Sequence, residues 1–117
     1  MSTSEQRRAL RKRALEPIEV SDALTGDNIG RIGNLSHDGM MLICRRVLNE
    51  DALYQLRFRL TDNAGRTHLL EAGVHELWSE PAAVPDQHWA GLRIIAMSDA
   101  DDTILNEWLD QPDDGVG

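Results

Sequence analysis

Apolar and polar side chains alternate most regularly in the segment LYQLRFRL, residues 53–60. Leu56, Phe58 and Leu60 are separated by polar or charged residues, which places the three on one face of an extended chain. A period of two is typical of a strand that buries one face and exposes the other. The segment therefore predicts a half-buried β-strand.

The other apolar segments before residue 98 are short and are separated by turn-forming residues, which also favours strands. The predicted strands are residues 15–22, 29–35, 40–47, 53–60, 66–78 and 90–97, and residues 79–89 are predicted to be a loop with two prolines. Pro17 lacks a backbone N–H donor, so we expect the first strand to lie at a sheet edge. The pair Ala72-Gly73 predicts a bulge in the long fifth strand.

The segment after the last strand has a helical pattern. Ser98 followed by acidic residues is typical of an N-cap and a first helical turn. The apolar stripe of this helix would consist of Ile104, Leu105, Trp108 and Leu109. Six antiparallel strands followed by one amphipathic helix predict a mainly β fold, a small barrel with a C-terminal helix packed on it.

The chain of 117 residues is long enough for one core. We expect the domain to comprise residues 14–110, preceded by a flexible basic arm, residues 1–13, and followed by a disordered tail, residues 111–117. Five of the twelve basic residues lie between Arg7 and Arg13. Like charges at this density repel one another, and Leu10 is the main apolar residue that could anchor them.

The overall charge argues against several classes of partner. The formal charge is −8, so the field of the protein would repel a nucleic-acid backbone. The chain has five aromatic residues (three Trp, one Tyr and one Phe), few for stacking single strands. A lone cysteine, Cys44, together with no apolar run of about 20 residues and no secretory signal, favours a cytoplasmic protein without membrane insertion.

Residue patterns for catalysis or metal binding are weak. Ser36, His37 and Asp38 are consecutive on a turn, where they cannot align as a nucleophile, a base and an orienting acid. His68 and His75 are an odd number of positions apart, so on a regular strand they face opposite sides. We therefore expect no catalysis, no bound metal and no cofactor.

Two motifs are more informative. Arg7 and Arg11 form R-x-x-x-R, and Asn34, Ser36 and Gly39 form N-x-S-x-x-G on the turn after the second strand. In this order, ahead of a small antiparallel barrel, they resemble the PilZ domain family of receptors for the bacterial messenger cyclic di-GMP. The flanking segments RKRALEPIEV, GRIGNLSHDGMML and AGLRIIAMSDADDTILNEWL are also similar to the family, so that the resemblance covers about residues 7–110.

The resemblance implies which residues bind the ligand. The implied cyclic di-GMP-binding residues are Arg7, Arg8, Arg11, Asn34, Ser36, Gly39 and Trp78. An Arg fork can pair with phosphate oxygens or with guanine O6 and N7, and it can also stack on a base. Trp78 would lie against a guanine or be an ordinary barrel residue. Lys12 and Arg13 are not fixed by the motif, and a second frame would use Arg8 with Lys12.

The implied function is that of a receptor which binds cyclic di-GMP without catalysis and relays the signal to a partner protein by conformational change. An alternative is a PilZ-fold adaptor that binds protein and no nucleotide, since the family includes such members. A single-stranded nucleic-acid binder with a basic arm is a third class, which the charge argues against.

Overall fold

The computed structural model describes residues 12–14, 16–45 and 47–111. In chain order its elements are β1 (Lys12–Arg13), β2 (Glu19–Asp22), β3 (Asn28–Ser36), β4 (Gly39–Cys44), β5 (Leu53–Thr61), β6 (Thr67–Pro81), β7 (His88–Met97) and α1 (Asp99–Asp110). The hydrogen-bonded order is β3–β2–β5–β6–β7–β4, and β4 pairs with β3 to close a six-stranded antiparallel barrel. The predicted mainly β barrel with a C-terminal helix is confirmed.

The core lies inside the barrel and follows the period-two pattern. Leu56, Phe58 and Leu60 on β5 are buried, as the alternation predicts, and the charged side chains between them are exposed. Inward residues of the other strands complete one continuous cluster that includes Val20, Ile29, Ile32, Leu35, Met40, Leu42, Leu70, Val74, Ala90 and Leu92.

Helix α1 begins and packs as predicted. The Ser98 hydroxyl accepts a hydrogen bond from the Asp101 N–H at 3.1 Å, which satisfies one of the free donors of the first turn. Leu105 and Trp108 are buried in the core, and Ile104 and Leu109 pack partly against it. The helix contacts β5 and β6. No helix among the described residues is both long and apolar enough to span a bilayer.

The structure corrects two details of the first strand. β2 begins at Glu19, after Pro17, and it pairs with β3 on one side and β5 on the other, so the predicted edge position is wrong. Closure of the barrel removes the edge, and the proline precedes the ladder that it would have interrupted. A seventh strand, β1, was not predicted; Lys12 opposes Leu35 and Arg13 opposes Asn34.

The pairing of β6 with β7 has two irregularities. At the first, Gly73 pairs with Ala96 and Val74 with Ile94, so the extra residue is Ile95 on β7, and the bulge predicted within the long strand at Ala72-Gly73 lies on the neighbouring strand instead. The other lies between Glu76 and Trp78 and leaves Leu77 as the extra residue. Bulges bend a strand and re-aim its side chains. The second bulge places a tryptophan on the outside of the barrel.

Candidate functional site

The turn that carries the second motif joins β3 to β4. Ser36 pairs with Gly39, and both are buried. The Ser36 hydroxyl is 2.9 Å from Asp38 Oδ1 and 3.3 Å from the Gly39 carbonyl oxygen, two acceptors within the same turn. Because only 1 % of Ser36 is exposed, its hydroxyl supports the shape of the turn in this structure. The turn is also tied to β7 by a 2.9 Å bond from the Ile94 N–H to the Asp38 carbonyl.

A single cross-strand row connects this turn region to the long strand. Arg13 opposes Asn34, Asn34 opposes Met41, Met41 opposes Gly91, and Gly91 opposes Trp78. Directly opposed residues of antiparallel strands project to the same face. The row therefore places Asn34 and Trp78, far apart in sequence, on one outer face of the barrel.

The Trp78 side chain lies directly over Gly91. A Cβ atom added at Gly91 would be 2.2 Å from Trp78 Nε1, closer than atoms approach. Gly91 is buried although it belongs to the outer face, because the indole covers it. Trp78 itself remains 43 % exposed. The glycine is thus the residue that lets the indole lie flat against the sheet.

A second tryptophan also packs against a glycine of a neighbouring part of the barrel. Trp89 on β7 lies over Gly33 on β3, where an added Cβ would be 3.3 Å from the Trp89 ring and 3.5 Å from Met41 Cε. Trp89 opposes Ile43, two positions along β4 from Met41, and is therefore on the same outer face. We call Trp78, Trp89 and Met41 the outer floor.

Three arginines share the outer face with the outer floor, in rows that also contain Glu80 opposite Trp89 and Glu19 opposite Arg31. Arg13 shares the row of Asn34, Arg31 opposes Ile43, and Arg93 is two positions from Gly91 on β7. All three are exposed. We call Arg13, Arg31 and Arg93 the arginine rim. Within residues 12–14, 16–45 and 47–111, no rim arginine forms an ion pair or a side-chain hydrogen bond.

Carboxylate partners for arginines are available in this chain. The chain carries a formal charge of −8, so carboxylates are abundant. Arg57 pairs with Glu71 at 2.9 Å on the outer face of β5 and β6, where the guanidinium and Gln55 lower the pKa of the Glu71 carboxyl, and Arg66 pairs with Asp62 at 3.6 Å. Exposed Arg59 on β5, like the rim arginines, has no such partner within the described part of the chain, so the rim is distinguished by its place beside the outer floor. An apolar floor that shares its face with guanidinium groups lacking a partner in residues 12–14, 16–45 and 47–111 suits a planar, anionic ligand.

A cleft of about 440 Å³ beyond the second bulge is lined by Glu50, Asp51, His75, Glu76 and Leu77. Buried Glu76 accepts hydrogen bonds from the Asp51 N–H at 2.8 Å and the Ser79 hydroxyl at 2.6 Å, and His75 bonds to Asp51. These contacts hold the 47–52 loop against β6. The described residues contain no cluster of ligating side chains suited to a metal ion. We therefore assign the polar residues that line the cleft a structural role, which is to hold the 47–52 loop on β6.

The two histidines considered for metal binding are separated by the sheet. His68 opposes buried Leu60, and its Nε2 lies 2.8 Å from Asp62 Oδ2. His75 opposes exposed Leu53. The pairing of β5 with β6 has no register shift, so the odd separation places the two rings on opposite faces, as predicted.

The structure brings together four of the seven residues implied by the resemblance. Asn34 and Trp78 share the outer row, and Ser36 and Gly39 form the adjoining turn. Arg7, Arg8 and Arg11 lie outside the described residues. The sequence patterns did not indicate Trp89, Met41, Arg31 or Arg93, and they left the part of Arg13 open. The signal available for the tryptophans was the pair Gly33 and Gly91, since a glycine inside a strand often marks a close approach.

Lys12 contacts the C-terminal helix, and this contact affects the alternative motif frame in which Arg8 and Lys12 would bind the ligand. Its Nζ donates to the Trp108 carbonyl oxygen at 2.6 Å and lies 4.2 Å from the centroid of the Trp108 ring. Lys12 opposes buried Leu35, on the inner side of β1. An ammonium held by the helix is not directed at the outer floor, so the frame that pairs Arg8 with Lys12 is the weaker one.

Comparisons with known proteins identify the fold. No protein-family profile matches the chain, and no curated protein matches its sequence closely enough to count as a relative. The chain has the fold of a PilZ domain. The PilZ domain of CeSA from a cellulose-synthesizing bacterium superposes with a TM-score of 0.55 at 15 % identity, covering 83 % of this chain and 91 % of that one.

The inhibitor of motility MotI/DgrA of Bacillus subtilis superposes with a TM-score of 0.68 at 13 % identity over 86 % of this chain. The match covers 47 % of the MotI/DgrA chain, so the present chain spans about half of that protein's length. Likeness at these identities establishes the fold. The resemblance seen in the sequence is confirmed at that level.

Proposed function

We propose that this protein is a receptor for cyclic di-GMP that catalyses no reaction on it and passes the signal to a partner protein. The observation that carries the proposal is the outer floor and, on the same face, an arginine rim without ion-pair partners in the described part of the chain, on a barrel of PilZ fold. Two guanines offer flat faces for Trp78 and Trp89, and two phosphates offer charge for the guanidinium groups.

The motif residues have distinct roles in this proposal. Arg7 and Arg11 clamp phosphate and guanine from the arm, with Arg8 as a further phosphate contact. Asn34 offers an amide to a guanine edge beside Arg13, which lies next to it in the ladder. Ser36 shapes the turn from inside, and Gly39 keeps a side chain away from the ligand. Trp78 stacks on a base.

The arm supplies the signal. Repulsion among the arginines that precede β1, Arg7, Arg8 and Arg11, opposes folding of that part of the arm onto the barrel without ligand, and bound phosphates relieve the repulsion. The arm then folds across the outer floor and changes a surface that a partner protein can recognise. Ordering the arm costs free energy, so affinity is lower than for a preformed site.

Titration calorimetry at about 100 μM protein tests the proposal, because this concentration reveals micromolar affinity. Cyclic di-GMP should bind, and Arg11→Ala should weaken binding at least about tenfold by removing a charge-assisted contact worth roughly 1.5–3 kcal/mol. Arg59→Ala is the matched control: Arg59 is an exposed arginine on β5, away from the outer floor, and its loss should leave affinity within about twofold.

Three results would count against the proposal. No heat with cyclic di-GMP would favour the adaptor that binds protein alone. Heat with single-stranded DNA instead would indicate a nucleic-acid binder. Linear dinucleotide accumulating during incubation would show that the protein is an enzyme.

A further inference from the structure

The two residues of β1 point in opposite directions, as consecutive strand residues do. Arg13 opposes Asn34 and belongs to the outer row, whereas Lys12 opposes buried Leu35 on the inner side. The Lys12 side chain reaches the last turn of α1, at Trp108. One short strand thus has one side chain at the candidate ligand site and the next one on the helix.

The chemistry of the helix end explains why a lysine is held there. α1 has three acidic residues in its first turn and no basic residue in its last turn. The last carbonyl groups of a helix lack partners within it and carry partial negative charge. Lys12 donates to the Trp108 carbonyl at 2.6 Å, and its ammonium lies over the Trp108 ring at 4.2 Å, an attractive cation–π arrangement.

The side chain also suits this position better than its neighbours in sequence would. Lys12 is the only lysine among the twelve basic residues of the chain. An ammonium on a flexible stem makes a point contact with one carbonyl, whereas a guanidinium is the better fork for phosphate or guanine. The residue type at position 12 therefore matches a contact with the helix.

The backbone alone holds β1 weakly. The strand is two residues long and makes two cross-strand pairs with β3, to Leu35 and Asn34. The register that sets Arg13 beside Asn34 consequently depends on side-chain contacts of β1. Lys12 provides a contact from position 12 to position 108, from one end of the described chain to the other.

We propose that Lys12 is a positioning residue that couples the outer ligand face to the C-terminal end of α1. The inference rests on the proposed function, and it adds the route by which occupancy changes another part of the protein. When a ligand engages Arg13 and Asn34, β1 is stabilised in its register, and Lys12 is held more firmly on Trp108. Coupling is reciprocal, so loss of the helix contact weakens ligand binding.

The experiment compares Lys12→Met and Lys12→Arg in the full chain. Methionine keeps an unbranched apolar stem and removes the charge and the donor, whereas arginine keeps both. Amide hydrogen exchange at residues 108–111 is followed with and without cyclic di-GMP, together with affinity. In the unmodified protein the ligand should slow exchange at these residues at least about fivefold, the lower end of usual coupling between sites.

Lys12→Met should abolish that ligand-dependent slowing and weaken cyclic di-GMP binding about fivefold, and Lys12→Arg should restore most of both. Gln111→Ala is the matched control. It removes the 3.1 Å bond from Gln111 Nε2 to the Thr61 carbonyl, another side-chain contact of the helix end, without touching Lys12. The ligand-dependent slowing should survive this change.

The outcomes separate the two proposals. No binding by the unmodified protein overturns the receptor function itself. Binding without any change in exchange at residues 108–111, or equal slowing in Lys12→Met, overturns the coupling and leaves the receptor function intact. If Lys12→Met does not fold, the unmodified protein and Lys12→Arg still test the coupling. Cyclic di-GMP must slow amide exchange at residues 108–111 in both proteins, and absence of slowing in either one overturns the coupling.

Discussion

The two faces of β4 and β7 carry apolar side chains in different ways. Inside the barrel, Leu42 and Leu92 are almost fully buried among other apolar side chains. Outside, Met41 and Trp89 lie over the small surface of Gly33 and remain partly exposed. Burial on the inner face stabilises the fold, whereas apolar area left exposed beside charged groups is typical of a binding face.

The comparison extends to the tryptophans. Trp108 is 8 % exposed and belongs to the core, while Trp78 is 43 % exposed and rests on a glycine. Both lie on a face that carries cationic residues: Lys12 sits over the Trp108 ring, and the rim arginines share the outer face with Trp78. In the inner pair, the Lys12 ammonium already has the Trp108 ring and carbonyl oxygen as partners. The outer one has cations without partners among the described residues, which leaves them available to a ligand.

The largest expected effect is on the inner face. Phe58→Ala should lower the free energy of unfolding by about 3–5 kcal/mol, because it removes a fully buried ring and leaves a cavity. Urea denaturation measures this loss. Affinity for cyclic di-GMP, measured where the variant is still folded, should stay within about twofold. A tenfold loss of affinity in the folded variant would show that the two faces are not independent.

Gly91→Ala tests the outer face. The added methyl group cannot coexist with the present position of the Trp78 indole, so the ring or the strand must move. We expect cyclic di-GMP affinity to fall about tenfold, equivalent to about 1.4 kcal/mol. Calorimetry on purified folded protein measures this effect.

Gly73→Ala is the control for that change. Gly73 lies on β6 away from both tryptophans, and an added Cβ would be 3.3 Å from the Ala96 Cβ and 3.4 Å from Gln55 Oε1. Crowding should lower the unfolding free energy of Gly73→Ala, but the affinity of this variant for cyclic di-GMP should not change. Equal affinity losses in the two glycine variants would mean that the indole over Gly91 has no special part in binding.

Ser36→Ala should have a smaller effect, and the effect should appear without ligand. The hydroxyl is buried and bonded within the turn, so its removal should lower the free energy of unfolding by about 1 kcal/mol. Ser21→Ala is the control, since the Ser21 side chain has no hydrogen bond to the described part of the chain, and it should change stability by less than about 0.5 kcal/mol. A loss of affinity with unchanged unliganded stability would instead place Ser36 in direct contact with the ligand.

The smallest expected effect is a pH dependence at the β5–β6 turn. The hydrogen bond from His68, followed by the backbone N–H of Arg66, lowers the pKa of Asp62 from 3.8 to about 2. A lowered folded-state pKa gives stability that is fully present above the unfolded value and is lost as the pH falls through the folded one. The contribution of Asp62 should therefore be constant above about pH 5 and disappear between about pH 4 and pH 2.

Asp62→Asn measures that contribution, because asparagine keeps an oxygen for the Ala64 and Arg66 N–H groups but carries no charge. The stability difference between Asp62→Asn and the unmodified protein should shrink as the pH is lowered from 5 to 2. His68→Phe, which removes the hydrogen-bond donor, should shift this loss to higher pH by raising the pKa of Asp62. A difference that grows on acidification would contradict the assignment.

Much of the barrel could be predicted because its signals are local. The alternation around Phe58 identifies β5, and Ser98 with the acids after it identifies the start of α1. β1 could not be predicted, because Lys12 and Arg13 are both charged and become a strand only through pairing with Leu35 and Asn34. Long-range pairing overrode a local pattern that favours a tail.

The candidate site was predicted in part for the same reason. The motif turn is contiguous, so Asn34, Ser36 and Gly39 could be found together. The nearby prolines predict a loop that includes Trp89, but Glu80 pairs with Trp89 and extends both β6 and β7. Gathering Met41 and Trp89 on one face depends on strand register, which single-sequence patterns do not give.

The pairing that closes the barrel also has a consequence for how quickly the chain can fold. The β3–β4 hairpin joins neighbouring residues, whereas β4 and β7 pair residues such as Gly39 and Arg93, more than fifty positions apart. Bringing such distant segments together costs loop-closure entropy before any contact compensates for it. We expect the hairpin to form within about microseconds and the β4–β7 seam to limit the rate on a scale of about milliseconds to seconds. Until that seam forms, β4 and β7 have open edges, and this is the interval in which the folding chain is most prone to associate with other copies.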